Sequence, residues 1–142
     1  MDRRDLIRNS IISGATLAAA GVLFDQNTAT AAGTKAHGPL TDALEKCIST
    51  GYTCLAHCQS ELAKGNTEMA KCQTEVMDML ASCRALQELA LRNSEHTKTM
   101  AQACSSICKD CAAACDVHAK HMAACKECME ACLNCEKACK AA

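Results

Sequence analysis

The amino-acid sequence predicts an all-α fold, an antiparallel up-down-up-down four-helix bundle with a cysteine-lined core. Long stretches without proline are divided by short breaks of turn-forming residues, as expected for a series of long helices. Within these stretches, cysteines recur at alternating spacings of three and four, which places them on one face of a helix. The chain has 14 cysteines but 1 Tyr, 1 Phe and no Trp, so cysteine must fill core space that aromatic rings normally occupy.

The N-terminal residues 1–32 are predicted to form a cleaved signal peptide of the twin-arginine type. Arg3 and Arg4 precede an apolar run at residues 10–24, and the small residues at 29–31 form a typical cleavage site. The apolar run is too short for a comfortable transmembrane helix. We therefore expect export to the periplasm or to the lumenal side of internal membranes. An ordinary export signal with a chance Arg-Arg pair and an uncleaved anchor are the alternatives.

Residues 33–38 are predicted as a flexible lead-in, and residues 39–142 as one folded domain. A chain of this length is expected to form a single domain. The first helix should run over residues 40–64, because Pro39 is tolerated in a first helical turn and no further proline follows.

The second helix is predicted over residues 67–92, after a Gly-Asn break with Asn66 as the N-cap. An Asn-Ser break follows, and Ser94 should cap a third helix over residues 95–117. The fourth helix is predicted over residues 122–140. Long helices with short connections are typical of an up-down-up-down bundle.

The inward-facing seam of the predicted helices contains every cysteine of the chain, and the outward positions hold mainly Lys, Glu, Asp, Gln and Ser. The thiols should therefore line most of the bundle interior. The seam cysteines are Cys47, Cys54, Cys58, Cys72, Cys83, Cys104, Cys108, Cys111, Cys115, Cys125, Cys128, Cys132, Cys135 and Cys139.

Neither simple packing nor disulfide bonding explains this pattern well. A single buried cysteine is an ordinary small hydrophobe, but packing has no reason to prefer cysteine over alanine or leucine at all 14 positions. In a Cys-x-x-x-Cys pair the Cβ atoms lie about 5–6 Å apart on a helix, whereas a disulfide needs about 3.8 Å. Disulfides between helices remain an alternative.

Metal binding is the remaining explanation, and charge favours Cu(I). Iron–sulfur clusters use cysteines in loops, and each zinc site with four thiolates carries a charge of about −2 that a narrow core would have to bury. Cu(I) selects soft sulfur ligands and accepts two of them. If each thiolate bridges two Cu(I) ions, the ratio is about one ion per cysteine and the core is neutral.

The stretches "CLAHC" at residues 54–58 and "CKECMEACLNCEKAC" at residues 125–139 resemble the copper storage proteins, cysteine-rich four-helix bundles that hold many Cu(I) ions. The resemblance covers nearly the whole predicted domain, and the leader resembles that of exported members. It implies that all the seam cysteines are Cu(I) ligands, that His57 and Met69 are ligands near the open end, and that the stored copper is later supplied to copper enzymes.

One end of the predicted bundle gathers further soft or nitrogen ligands. It brings together His57, Met69, His118 and His121, whereas leucines and alanine close the other end. Imidazole and thioether bind Cu(I) without forming disulfides, which suits an exposed entrance. The methionine could instead fill the core, and the histidines of the third connection could be solvated loop residues.

The predicted function is high-capacity Cu(I) storage, and the chain is not predicted to be an enzyme. A copper-detoxifying buffer, a metallochaperone and a zinc-binding, metallothionein-like protein are the alternatives. A net charge of −1, without a basic patch or stacking rings, excludes nucleic acid as a partner. Copper ions are the expected partner, with copper enzymes, copper chaperones and a second copy of the chain as further candidates.

Overall fold

The structure, a computed structural model, describes residues 38–142. This part of the chain forms four α-helices and no strand: α1 (Gly38–Ala63), α2 (Met69–Leu91), α3 (Thr97–Ala119) and α4 (Ala123–Lys140). The all-α prediction is confirmed. The predicted signal peptide, and the lead-in up to residue 37, lie outside the described residues. None of the described helices combines the length and apolarity that a membrane span requires.

The helices pack around a square in which α1 and α3 each contact both α2 and α4. The thiol of Cys47 lies beside that of Cys132, whereas Cys54 lies beside Cys125, so residue numbers rise along α1 as they fall along α4. Sulfur pairs between α2 and α3 show the same reversal. The bundle is therefore antiparallel, as the short connections require.

The first connection uses a left-handed residue to end a helix. Gly65 has a φ of 89°, which glycine adopts without steric cost. Its N–H donates to the carbonyl of Leu62, and the N–H of Asn66 donates to the carbonyl of Glu61. This pair of bonds is a Schellman motif, which satisfies carbonyl groups at the end of α1. The predicted Gly-Asn break is confirmed.

The second connection repeats the motif with asparagine in place of glycine. Asn93 has a φ of 51°, its N–H donates to the carbonyl of Ala90, and the N–H of Ser94 donates to the carbonyl of Leu89. Asparagine is the residue that most often replaces glycine at this position. Both breaks therefore turn the chain by the same backbone geometry.

The predicted N-caps differ from the structure. The N-cap position of α2 is Glu68, without a side-chain cap bond, and the Asn66 amide instead donates to the carboxylate of Glu61. Ser94 lies ahead of the N-cap of α3, where its hydroxyl accepts a bond from the N–H of His96. A short turn precedes each helix, which moves the first helical residue beyond the sequence-predicted cap.

The core follows the predicted seam closely. The leucine end, defined by Leu40, Leu44, Leu86 and Ala90, is buried to at least 96% at each position. The opposite end, here called the histidine end, carries His57 on α1 and the connection between α3 and α4. His121 is exposed and precedes α4, because α3 extends to Ala119 and the chain then turns.

A glycine allows close packing at the middle of α1. A Cβ atom at Gly51 would lie 2.6 Å from the terminal methyl of Met79 and 2.9 Å from Cδ2 of Leu80. Because real Cβ contacts are longer than this, the side chains of α2 occupy the space that any other residue at position 51 would need. Gly51 thus sets how closely α1 and α2 approach.

Replacing Gly51 with valine should destabilise the reduced, metal-free protein by about 1–3 kcal/mol, because the added methyl groups overpack the α1–α2 contact. The matched control is Thr53→Val in the same helix, whose side chain is exposed and whose effect should stay within about 0.5 kcal/mol. Thermal unfolding followed by circular dichroism measures both. Equal midpoints for the two variants would contradict the close contact.

Candidate metal centre

All 14 cysteines carry free, buried thiols in the described residues. Cys139 has the most exposed of these side chains, at 4%, and most of the others are fully buried. Their burial follows from the spacing of three and four, which keeps successive thiols on the inward face of each helix. The disulfide alternative has no support in this geometry, since the closest thiol pairs lie 3.6 Å apart.

A first set of thiols, here called the leucine-end group, lies next to the aliphatic side chains of the leucine end. Within it, the sulfur atoms of Cys47, Cys83, Cys108 and Cys135 lie within 4.8 Å of one another. Cys135 also belongs to a trio that extends the group to the end of α4. The members of that trio are Cys104, Cys135 and Cys139.

A second set, the histidine-end group, occupies the other half of the core. Cys54 is its centre, because it belongs both to a trio with thiols of α1 and α2 and to a trio with thiols of α3 and α4. The two trios are Cys54, Cys58, Cys72 and Cys54, Cys115, Cys128. Cys125 lies 3.9 Å from the sulfur of Cys54, so the group spans all the helices.

Thiols on α3 and α4 join the two groups into one row. Cys111, Cys128 and Cys132 lie within 4.8 Å of one another, and the sulfur of Cys132 is 3.7 Å from that of Cys47. Every thiol therefore has a thiol neighbour at a distance that one metal ion could bridge. A metal–thiolate bond is about 2.3 Å long, so two sulfurs on one ion lie up to about 4.6 Å apart.

Contacts between thiols change their acidity. Hydrogen bonds from Cys108 and then Cys132 lower the pKa of Cys47 to about 6, and a bond from Cys108 lowers the pKa of Cys104 to about 4. Burial is the main cause that raises the pKa of Cys58 to about 12. A thiolate that accepts hydrogen bonds is stabilised, whereas a desolvated thiol keeps its proton. The contacts within the row thus lower the pKa of some thiols, while burial raises the pKa of others.

The core offers these thiolates no cationic partner among the described residues. The buried polar side chains are neutral hydroxyls, Thr50, Ser82, Thr97 and Ser105. A buried negative charge must be balanced or protonated. The leucine-end group could hold one tetrahedral zinc ion, but the other groups are trios that share members. Shared members suit bridging thiolates and a metal that accepts two or three ligands, as Cu(I) does.

The predicted non-cysteine ligands differ from one another in burial and in their surroundings. His57 is half-buried, and its Nε2 atom is buried without a hydrogen-bond partner, while Met69 is fully buried at the start of α2. His118 lines a groove of about 470 Å³ between α2 and α3 that also reaches Cys72. His121 is exposed. The described groups of close-lying ligand atoms contain cysteines alone, so the structure does not bring these histidines into them.

One sulfur was missed by the sequence reasoning as a candidate ligand. Met79 occupies a seam position and is fully buried, and its Sδ atom lies 3.4 Å from the sulfur of Cys47. The sequence signal that could have identified Met79 is Gly51, which lies opposite it on α1. Gly51 leaves a gap in the seam of α1 that a long side chain from α2 must fill.

Comparison with known proteins agrees with this geometry. A family model described as copper storage protein matches residues 34–142. No curated protein matches the chain. A solved structure of the copper storage protein Ccsp from Streptomyces lividans, loaded with 10 copper equivalents, is 28% identical, with 74% of this chain and 81% of that chain covered and a TM-score of 0.68.

A second solved structure shows a cytosolic copper storage protein from Streptomyces lividans with five coppers. It is also 28% identical, covers 74% of this chain and 89% of that chain, and has a TM-score of 0.67. This finding contradicts the predicted export to the periplasm or an internal lumen, which is therefore wrong. The prediction depended on a short basic and apolar segment, and neither the fold nor the thiol core depends on that segment.

The family match covers most of the chain, and the copper-loaded structures share its fold. The resemblance predicted from the cysteine-rich helices is thereby confirmed, and so is the predicted function, storage of multiple Cu(I) ions. This chain belongs to the copper storage protein family.

Proposed function

We propose that all 14 cysteines are Cu(I) ligands and that residues 39–142 form the storage domain. The single observation that carries the proposal is the continuous row of buried, unbonded thiols. Each thiol has a neighbour close enough to share an ion, and the row extends from the leucine end to the histidine end. A row of this kind can hold many ions rather than one.

The charge of the core limits the number of Cu(I) ions that the protein can hold. With no buried cation in the described core, an equal number of thiolates and Cu(I) ions makes the interior neutral. Fewer ions would leave thiols protonated, and more would bury positive charge. The proposed capacity is therefore about one Cu(I) per cysteine.

We further propose that copper enters and leaves at the histidine end. His57 supports this role because its buried Nε2 has no partner, and a ligand atom without a partner costs free energy unless it binds something. Met69 adds a buried thioether at the same end, and His118 lines a groove that reaches Cys72. His121 is exposed and would contact incoming metal from solvent.

A non-enzymatic role fits the burial of the thiols. A reactive cysteine needs partial exposure and an electropositive setting, whereas these side chains are at most 4% exposed. A metallochaperone needs one accessible site, and the row of buried ligands is far larger than that. Detoxification of excess copper would use the same row, so a storage protein also buffers copper.

Anaerobic titration of the reduced protein with Cu(I), against a competing chelator, should saturate at about one ion per cysteine. Circular dichroism should show the metal-free protein already helical, because Ala, Leu, Glu and Lys favour helix without metal. A plateau at three or four ions, together with preference for zinc, would contradict the proposal. A disordered metal-free chain would indicate a metallothionein-like polymer instead.

Copper loading should release protons, and apparent affinity should rise with pH. Burial raises the pKa of Cys58 to about 12, so at neutral pH this thiol is protonated and Cu(I) must displace its proton. Since proton and copper compete, lowering the pH favours the thiol and weakens binding. Loading in weakly buffered solution with a pH indicator should show proton release with each addition of copper, because Cu(I) displaces protons from buried thiols. Release of no protons would contradict the thiol state described here.

Substitution at the histidine end should slow exchange without reducing capacity. In the quadruple variant His57→Ala, Met69→Leu, His118→Ala, His121→Ala, stopped-flow loading and chelator removal should both be slower, since the cysteines remain but the entrance ligands are lost. His96→Ala, an exposed histidine at the start of α3 near the leucine end, is the matched control. Exchange rates equal to those of the control would place the entrance elsewhere.

A further inference from the structure

The middle of the core is asymmetric in its sulfur content. α3 and α4 carry buried thiols along most of their length, whereas the α1 seam has Gly51 between Cys47 and Cys54. The α2 seam has Val76 and Met79 between its thiols. Between Cys72 and Cys83, the sulfur of Met79 is therefore the sulfur that α2 buries in the core, since Met77 is exposed.

The Met79 side chain is held in a defined position. Its terminal methyl lies over Gly51, 2.6 Å from the place a Cβ would occupy, and the side chain is fully buried. Its Sδ atom lies 3.4 Å from the Cys47 sulfur, closer than the thiol–thiol contacts of 3.6 to 4.0 Å elsewhere in the core. The gap at Gly51 thus turns the methyl toward α1 and brings the sulfur against Cys47.

The thioether suits this location chemically. It is a soft donor that Cu(I) accepts, it has no proton to lose, and it adds no charge to the core. Cys47 belongs to the four-cysteine set of the leucine-end group, so an ion bound to Cys47 lies within reach of Met79. The unbranched side chain has three rotatable bonds, so its sulfur can move outward by the small distance that an inserted ion requires.

We propose that Met79 is an internal Cu(I) ligand, which binds the same ion as Cys47 in the leucine-end group. The proposal rests on the proposed ligand role of the cysteines. In a row where each thiolate bridges two ions, one neutral extra donor gives one ion a third ligand without changing the charge or the number of ions. Met79 therefore makes one ion bind more tightly than its neighbours and leaves the total capacity unchanged.

The first test compares Met79→Leu with the same substitution at Met100, a partly buried methionine that packs against the outside of the core. Both proteins are loaded anaerobically with Cu(I) and then challenged with increasing chelator. Met79→Leu should release one copper equivalent at a chelator activity at least about tenfold lower than Met100→Leu, because loss of groups that support a metal site costs about 10–100-fold in affinity. Total capacity should be the same in both.

The second test uses the unsubstituted protein labelled with [methyl-¹³C]methionine, so it does not depend on the folding of a variant. The Met79 methyl is identified by its proximity to the Gly51 protons. On copper loading its resonance should shift well beyond that of the Met100 methyl, and the shift should appear when the ion at Cys47 binds. If Met79→Leu fails to fold, this shift decides the question.

The outcomes separate the two proposals. The ligand role of Met79 would be overturned if both variants kept full capacity and gave identical chelator curves, and if the Met79 methyl resonance shifted little on loading. Met79 would then be a core-packing residue, and copper storage by the cysteines would be unaffected. A wild-type protein that binds only a few copper ions would overturn the ligand role of the cysteine row, and the Met79 proposal with it.

Discussion

A thiolate inside a helical bundle needs a positive charge at bonding distance, and the rest of this structure depends on that requirement. The described core contains thiols and neutral hydroxyls but no cationic side chain, so protons or metal ions must supply the balancing charge. Cu(I) supplies one charge for each thiolate and accepts bridging ligands. Without metal, the thiols share protons through contacts of 3.6 to 4.0 Å, which lower the pKa of Cys47 while burial raises that of Cys58.

The same requirement explains the composition of the core. Aromatic rings would separate the thiols, so the apolar part is made of leucine, methionine, valine and alanine, and three of the four buried leucines lie at the leucine end. That end supplies the hydrophobic contact that holds the helices together before any metal binds. Aliphatic side chains such as Val76, Met79 and Leu80 also lie buried between the thiols, so packing contacts and candidate metal ligands share the middle of the bundle.

The two ends and the middle have different chemistry. The histidine end offers His57, with its unpartnered buried nitrogen, and a groove that reaches Cys72. In the middle, thiols on α3 and α4 connect the two groups, and on the other side Gly51 and Met79 form a complementary pair. An ion that enters at the histidine end can pass from thiol to thiol to the leucine-end group. The proposed exchange would therefore run along α3 and α4, where the thiols are continuous.

The sequence by itself determined the helices, their inward faces and the metal. A spacing of three and four is a local property of a helix, so it places Cys125 to Cys139 on one face whatever the partner helices are. The breaks at Gly65 and Asn93 could be predicted because glycine and asparagine adopt the left-handed conformation that ends a helix. Only the tertiary structure decided which sulfurs meet across helices, such as Cys47 with Cys132 and Met79, and that His121 is exposed. Those contacts depend on the relative rotation and translation of whole helices, which the pattern within one helix does not specify.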